Sequence, residues 1–206
     1  MPTSSLSLRM IRTPTFKLAA IACSVVGLAA CGDPLGVKAT VAVKFDTLSV
    51  YAMSGTPLTY PSAYNAGTGV VMRVEPDIAF DIAFDLDANG KVRLIPARQV
   101  SAARTIGGLP QPSPRVGMVV VKGTFESLTK APGSGSYKYD SSLVVSPGEA
   151  VALEVASDAC QFSLSQQLYA KLVIDSVKVQ TRRIYFRATR DPNCGFRSLT
   201  PGIPKS

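Results

Sequence analysis

Three residues near the C-terminus, Arg183, Tyr185 and Arg187, have the types and the spacing of a binding surface. In an extended strand every second side chain lies on the same face, so these three side chains share one face. Arginine binds phosphate and carboxylate groups through paired hydrogen bonds, and aromatic rings attract cations. The sequence therefore predicts a candidate binding face for an anionic ligand. The alternative interpretation is an ordinary solvated face.

A second stretch is acidic and contains Glu75, Asp77, Asp81, Asp85 and Asp87. Two carboxylates can hydrolyse a glycosidic bond as acid and base. Residues two apart on a strand, however, lie about 7 Å apart, and alternating aspartates are typical of a water-exposed sheet face. The chain contains no histidine, which excludes Ser-His-Asp and Cys-His catalysis and histidine zinc sites. We expect no catalytic residues, no cofactor and no metal site.

The first 31 residues have the layout of a secretory signal. Arg9, Arg12 and Lys17 form a basic start, and residues 18–30 carry no charge. Small residues then directly precede a cysteine in Leu28-Ala29-Ala30-Cys31. This pattern resembles the lipobox of bacterial lipoproteins, in which the cysteine is acylated and becomes the new N-terminus. A plain signal peptide is the alternative, whereas the apolar run, about 13 residues long, is shorter than the ~20 residues of a membrane span.

The resemblance implies a signal peptide over residues 1–30, lipidation of Cys31 and a lipidated tether over residues 31–36. Either Met1 or Met10 can be the start, because the signal is complete from both. Gly32 follows the cysteine, where enteric bacteria use aspartate for retention in the inner membrane. The resemblance therefore implies a lipid-anchored protein of the bacterial cell envelope, at the outer membrane. The tether reaches less than ~20 Å, so the domain should stay close to the bilayer.

Lipidation of Cys31 would leave Cys160 and Cys194 as a pair in an oxidising compartment, where paired cysteines form disulfides. Redox-active pairs are usually adjacent, as in Cys-x-x-Cys. A structural disulfide between Cys160 and Cys194 is therefore expected.

Charge is distributed unevenly along the chain. The sequence contains 22 basic and 14 acidic residues, and from Lys171 onward it has eight basic residues against two acidic ones. The partners that fit this charge outside the cytoplasm are an anionic envelope glycan, a lipid head group or an acidic protein. Nucleic acid is not an expected partner there.

The clearest strand signal is an apolar residue at every second position from Ile78 to Leu86. A two-residue turn at Asn89-Gly90 would place Arg93 on the core side of the partner strand. A three-residue loop, Ala88-Asn89-Gly90, instead pairs Asp85 with Arg93 and places Gly90 in a left-handed conformation. The longer loop is therefore predicted.

About ten short strands separated by Gly and Pro indicate a single all-β domain over residues 37–206. We predict an antiparallel β-sandwich, Ig-like or related, with a partly closed β-barrel as the alternative, and a short helix over residues 164–170. The expected function is a lipid-anchored binding or structural module. An envelope hydrolase that uses Asp/Glu carboxylates and a carrier of apolar cargo stay open as alternatives; the carrier would need a cavity or groove.

Overall fold

The computed structural model describes residues 38–76, 78–101, 105–106, 109–110, 115–163 and 165–205, with backbone alone at 105–106 and 109–110. The predicted signal peptide, the predicted lipidation site Cys31 and the predicted tether lie outside the described residues, as does Asp77. Residues 38–206 form one compact unit. In the described part of the chain, no helix is long and apolar enough to cross a membrane.

The described residues form thirteen β-strands and no α-helix. In chain order the strands are β1 (Lys44–Tyr51), β2 (Ala63–Asn65), β3 (Val70–Met72), β4 (Ile82–Leu86), β5 (Val92–Pro96), β6 (Thr105–Ile106), β7 (Leu109–Pro110), β8 (Val116–Val120), β9 (Lys138–Tyr139), β10 (Leu143–Val145), β11 (Ala150–Ala156), β12 (Gln167–Lys178) and β13 (Arg183–Asp191).

Two antiparallel sheets pack face to face. The larger sheet has the strand order β1-β13-β12-β11-β8-β9, and the smaller has the order β10-β5-β4-β2-β3. Strands β6 and β7 form a separate two-stranded sheet. Neither large sheet closes on itself, so the predicted β-sandwich is confirmed and the chain does not adopt the barrel alternative.

The main core lies between the two sheets, where large aromatic side chains meet. The ring of Phe186 on β13 lies 4.9 Å from that of Phe84 on β4 and 5.5 Å from that of Tyr64 on β2, between centroids. All three side chains are buried. Aromatic pairs at such distances stabilise a core beyond the area that they bury.

Both sheets are also covered on parts of their outer faces. Ala83 and Phe80 belong to a second apolar cluster on the outer side of the smaller sheet, which leaves β4 buried on both faces. On the larger sheet, the segment before β9 and the chain near Leu199 form a third cluster. The expected water-exposed acidic face is therefore wrong at two positions: Asp81 and Asp85 are 3% and 2% exposed.

The predicted hairpin register between β4 and β5 is confirmed. Asp85 lies opposite Arg93, with Phe84 opposite Leu94, and Gly90 has a φ of 74°. Only a left-handed residue closes this three-residue loop without strain, and glycine adopts that conformation readily.

The predicted helix over residues 164–170 is wrong, since β12 begins at Gln167. This strand pairs with β11 on one side and β13 on the other. Two neighbouring strands supply backbone hydrogen bonds along its length, and this tertiary context overrides a weak local helix preference.

The predicted disulfide between Cys160 and Cys194 is confirmed, with the two Cα atoms 5.6 Å apart. It joins the turn that precedes β12 to the segment that follows β13. These two segments also form the wall of a cavity described below.

Candidate functional site

The three residues of the predicted binding face all lie on β13 and point away from the main core. Burial alternates along this strand: Ile184 and Phe186 are fully buried, whereas Arg183, Tyr185 and Arg187 are partly exposed. The predicted common face is therefore correct. The surroundings of the three side chains differ, however.

Arg187 is occupied by two carboxylates. Its Nη1 lies 2.7 Å from Glu126 Oε1, and its Nε lies 2.9 Å from Asp175 Oδ1. Its guanidinium also lies over the ring of Phe125, 5.0 Å from the centroid. An anionic ligand would have to compete with both carboxylates, so the structure separates Arg187 from the other two members of the predicted face.

Arg183 and Tyr185 instead belong to a longer line of stacked side chains, here named the tyrosine–cation row: Lys178, Tyr185, Arg183, Tyr51 and Tyr60. Lys178 Nζ lies 5.7 Å from the Tyr185 ring centroid. The Arg183 guanidinium lies 5.0 Å from the Tyr185 centroid and 5.5 Å from that of Tyr51. The rings of Tyr51 and Tyr60 are 4.5 Å apart.

Strand register assembles the row. Tyr51, the last residue of β1, lies opposite Arg183, the first residue of β13. On the other side of β13, a β-bulge in β12 between Ile174 and Ser176 shifts the pairing so that Lys178 lies opposite Arg183. A bulge adds one residue and exchanges the two faces beyond it. Without this shift, Lys178 would not share the outer face.

Arg183 is oriented but not neutralised. Its Nη2 donates a hydrogen bond to Ser49 Oγ at 2.8 Å, and among the described residues neither Arg183 nor Lys178 forms an ion pair with a carboxylate. The two cations can therefore bind a ligand's anionic groups at the low cost of displacing water. A hydrogen bond from a guanidinium group to an anionic oxygen is stronger than one to a neutral hydroxyl such as that of Ser49.

No known protein family, curated protein or solved structure matches this chain. In the described ranges, no group of three or more His, Cys, Asp or Glu side chains could hold a metal ion.

A buried carboxylate holds the loops beside the row. Asp85 Oδ2 accepts a hydrogen bond from Ser54 Oγ at 2.7 Å, and its Oδ1 accepts from the N–H groups of Ser54 at 3.2 Å and Leu86 at 2.9 Å. Arg93 and Arg182 each approach this carboxylate to 3.3 Å. Burial raises the pKa of Asp85, but the hydrogen bonds and the charge of Arg93 outweigh burial and hold that pKa below its ordinary value.

Asp85 thus connects the hairpin to the neighbours of the row. Arg182 directly precedes Arg183, has a φ of 52° and donates from Nε to Ser54 O at 2.6 Å. The backbone of residues 53–56 is held against the start of β13 in this way, close to Tyr51. This member of the acidic stretch is therefore a structural residue.

A cavity of about 340 Å³ lies at the opposite end of β13, and Asp81, Asp158 and the Cys160–Cys194 disulfide contribute to its wall. Asp81 Oδ2 accepts a hydrogen bond from Ala66 N–H at 2.6 Å. Burial raises the pKa of Asp81 to about 6, although hydrogen bonds from the backbone of Ala66 and Gly67 act against the rise.

Sequence reasoning missed Tyr51, Tyr60 and Lys178 as members of the site. Tyr51 closes a segment whose alternation is visible in the sequence, but the pairing of β1 with β13 joins residues more than 130 positions apart. Tyr60 lies in a loop, and a hydrogen bond from Tyr51 N–H to Pro61 O at 2.8 Å fixes the residue next to it. No local signal predicts either contact.

Proposed function

We propose that this chain is a lipid-anchored binding module of the bacterial cell envelope, and that the tyrosine–cation row binds an acidic glycan. The observation that carries the proposal is the row itself, in which aromatic rings and unpaired cations follow one another on an open sheet face. The lipobox-like sequence that ends at Cys31 supports the anchoring part of the proposal.

An acidic glycan matches both kinds of side chain in the row. Tyrosine has an apolar body with a polar tip, which suits a sugar ring with its C–H face and its hydroxyl groups. Arg183 and Lys178 would bind carboxylate, sulfate or phosphate substituents through charge-assisted hydrogen bonds. The steps along the row, 4.5–5.7 Å, would let one extended chain contact several members in succession.

The row lies far from the first described residues of the domain. The first described residues lie at the far end of β1, where the N–H groups of Thr40 and Val41 donate to Asn193 Oδ1 at 3.0 Å each. The row lies at the start of β13, which has nine residues and is about 25–30 Å long. The row is therefore separated from the first described residues by about the length of β13, roughly 25–30 Å.

The test of the row compares two variants with the same charge change on the same strand. In Arg183→Gln, we expect the full-length acylated protein in nanodiscs to bind polygalacturonate about 10- to 100-fold more weakly, because one charge-assisted contact is lost. In Arg187→Gln, which alters a residue already bound by two carboxylates, we expect at most a small change. Binding should also weaken as ionic strength rises.

Three outcomes would contradict this assignment: equal loss in both variants, no loss in Arg183→Gln, or tight binding of a neutral galactan. Stronger binding of polyglutamate or of phosphatidylglycerol vesicles would replace the glycan by an acidic protein or a lipid head group. Biolayer interferometry with each immobilised ligand measures all of these affinities on one scale.

The anchoring part has its own test. Cys31→Ser should move the protein from the membrane fraction to the soluble fraction, because durable anchoring needs the acyl chains. Labelled palmitate should appear on the parent protein and not on the variant. A variant that fractionates with membranes as the parent does would refute lipid anchoring, without bearing on the row.

A further inference from the structure

The cavity at the far end of β13 has the size and the wall of a small-molecule site. Its volume of about 340 Å³ falls in the lower part of the range for ligand pockets, about 300–1,000 Å³. Apolar side chains, including Leu168, Pro192 and Ala156, form much of the wall together with the disulfide. Such a wall accommodates the apolar body of a ligand, so the polar groups decide which ligand fits.

The charge of this wall is opposite to that of the chain. The full sequence carries a formal net charge of +8, yet the charged residues among those that line the cavity are the two aspartates Asp81 and Asp158. No lysine or arginine lies among the described lining residues. The buried carboxylate of Asp81 beside an apolar wall attracts a cation and repels an anion.

Asp81 has capacity for a further partner. A carboxylate has about four lone-pair sites, and the backbone of Ala66 and Gly67 uses two of them. The side chain is almost fully buried. A buried carboxylate without a cationic partner is costly, and an opposite charge within hydrogen-bond distance would offset that cost.

The other charged and titratable groups near Asp81 leave the role of its cationic partner to a ligand. Arg190 on β13 is engaged elsewhere, since it donates to Gly67 O at 3.0 Å and pairs with Asp46 Oδ2 at 3.4 Å. Tyr64 on β2 is buried, and burial raises the pKa of its hydroxyl so that it stays neutral. Asp158 also lines the cavity, but it already interacts with another group, so the role of counter-ion falls to Asp81.

From these observations we infer that the cavity binds a small organic ammonium ion, with Asp81 as its counter-ion and the apolar wall around its alkyl part. The site is separate from the tyrosine–cation row and does not depend on the glycan proposal. An ammonium group of this size can come from a free amine or from an aminoethyl lipid head group. The cavity lies at the end of β13 where Asn193 binds the backbone of Thr40 and Val41.

The test uses the full-length protein in nanodiscs made of phosphatidylglycerol, with ligand-detected NMR as the readout. Butylammonium and butanol are the probes, since they differ mainly in charge. We expect butylammonium to bind about 10- to 100-fold more tightly than butanol, as one charge-assisted hydrogen bond implies. Asp81→Asn should reduce the affinity for butylammonium to that for butanol and leave butanol unchanged.

A measurement on the unmodified protein is independent of whether the variant folds. Because the pKa of Asp81 is about 6, the affinity for butylammonium should fall about tenfold per pH unit below that value, whereas butanol binding should stay constant. Three results would overturn the inference. They are equal affinity for the two probes, no saturable binding of butylammonium, and an affinity for butylammonium that does not change between roughly pH 4 and pH 7, the range around the reference and shifted pKa values of an aspartate.

The source of the ammonium group follows from a final comparison. If nanodiscs that contain an ethanolamine lipid displace butylammonium, the head group is the source. If only soluble amines displace it, the ligand is a free amine. Both results support the ammonium site, and neither changes the expectation for polygalacturonate at the row.

Discussion

Replacing Asp85 with alanine is expected to lower the free energy of unfolding by about 3 kcal/mol. Removing one partner from a buried charged network leaves the remaining groups unsatisfied, and such changes cost about 3–5 kcal/mol. The lower end applies because the side chains of Arg93 and Arg182 are 44% and 30% exposed, so water replaces part of their interaction. The N–H groups of Ser54 and Leu86 would lose their acceptor. Urea denaturation measures the change.

The same variant should alter the response to acid. The folded-state pKa of Asp85 is lowered, so its contribution is present above the unfolded-state pKa of about 4 and is lost as pH falls through the folded-state value. The variant should therefore lose less stability than the parent between pH 4 and pH 2, roughly the range below that reference value.

Glu75→Ala is the matched control, because Glu75 forms an exposed ion pair with Arg73. Exposed pairs contribute about 0–1 kcal/mol. If Asp85→Ala cost no more than Glu75→Ala, the network around Asp85 would not hold the loops beside the row.

The hairpin that contains Asp85 could be predicted because its register is set locally. An apolar residue at every second position requires one buried face, and a shift by one residue would move all of them to the other face. A two-residue turn would break this pattern, whereas a three-residue loop keeps it and pairs Asp85 with Arg93. That pairing is observed. The disulfide was predictable for another reason: with Cys31 assigned to lipidation, Cys160 and Cys194 were the pair left in the predicted domain.

Burial of the aspartates could not be predicted, because it depends on distant parts of the chain. Arg182, which contacts Asp85, lies 97 positions away in sequence. A clean alternation shows that a strand has one apolar face, but it does not show whether another layer covers the opposite face. Here a second layer does cover that face, where Ala83 and Phe80 form part of an apolar cluster. A carboxylate buried there needs hydrogen-bond partners, and these come from distant segments that only the folded chain brings close.

The first strand shows the same limit. Val41, Val43 and Phe45 stand at every second position in the sequence, yet the residues of β1 that reach the main core are Leu48 and Val50. Phe45 is 53% exposed, and its ring lies 6.3 Å from that of Phe125 on the outer side. Which face of an edge strand is covered depends on the second sheet, not on the strand.

The candidate site was predictable in part. Alternation within β13 brought Arg183 and Tyr185 to one face, as expected. Whether an arginine on that face is free depends on segments that cross it: the chain near Glu126 neutralises Arg187, and a bulge in β12 brings in Lys178. Bulges and covering loops leave only weak traces in a sequence, because they change pairing without changing composition.

Removing the disulfide tests whether the two ends of the domain are independent. We expect Cys160→Ser combined with Cys194→Ser to lower the free energy of unfolding by about 3–4 kcal/mol, because the bond closes a loop with a sequence separation of 34. Guanidinium denaturation measures this loss. Each single replacement should cost about as much as the pair, since either one removes the same bond.

The double variant should also affect the two proposed sites differently. The disulfide lies in the wall of the cavity, whereas the row is held at the other end of β13 by Asp85 and Arg182. At a temperature where the variant is still folded, butylammonium binding should weaken strongly and polygalacturonate binding should stay within about twofold, a difference below roughly 0.5 kcal/mol. A parallel loss at both ends would show that the domain responds as one unit, and the separation of row and cavity would then be wrong.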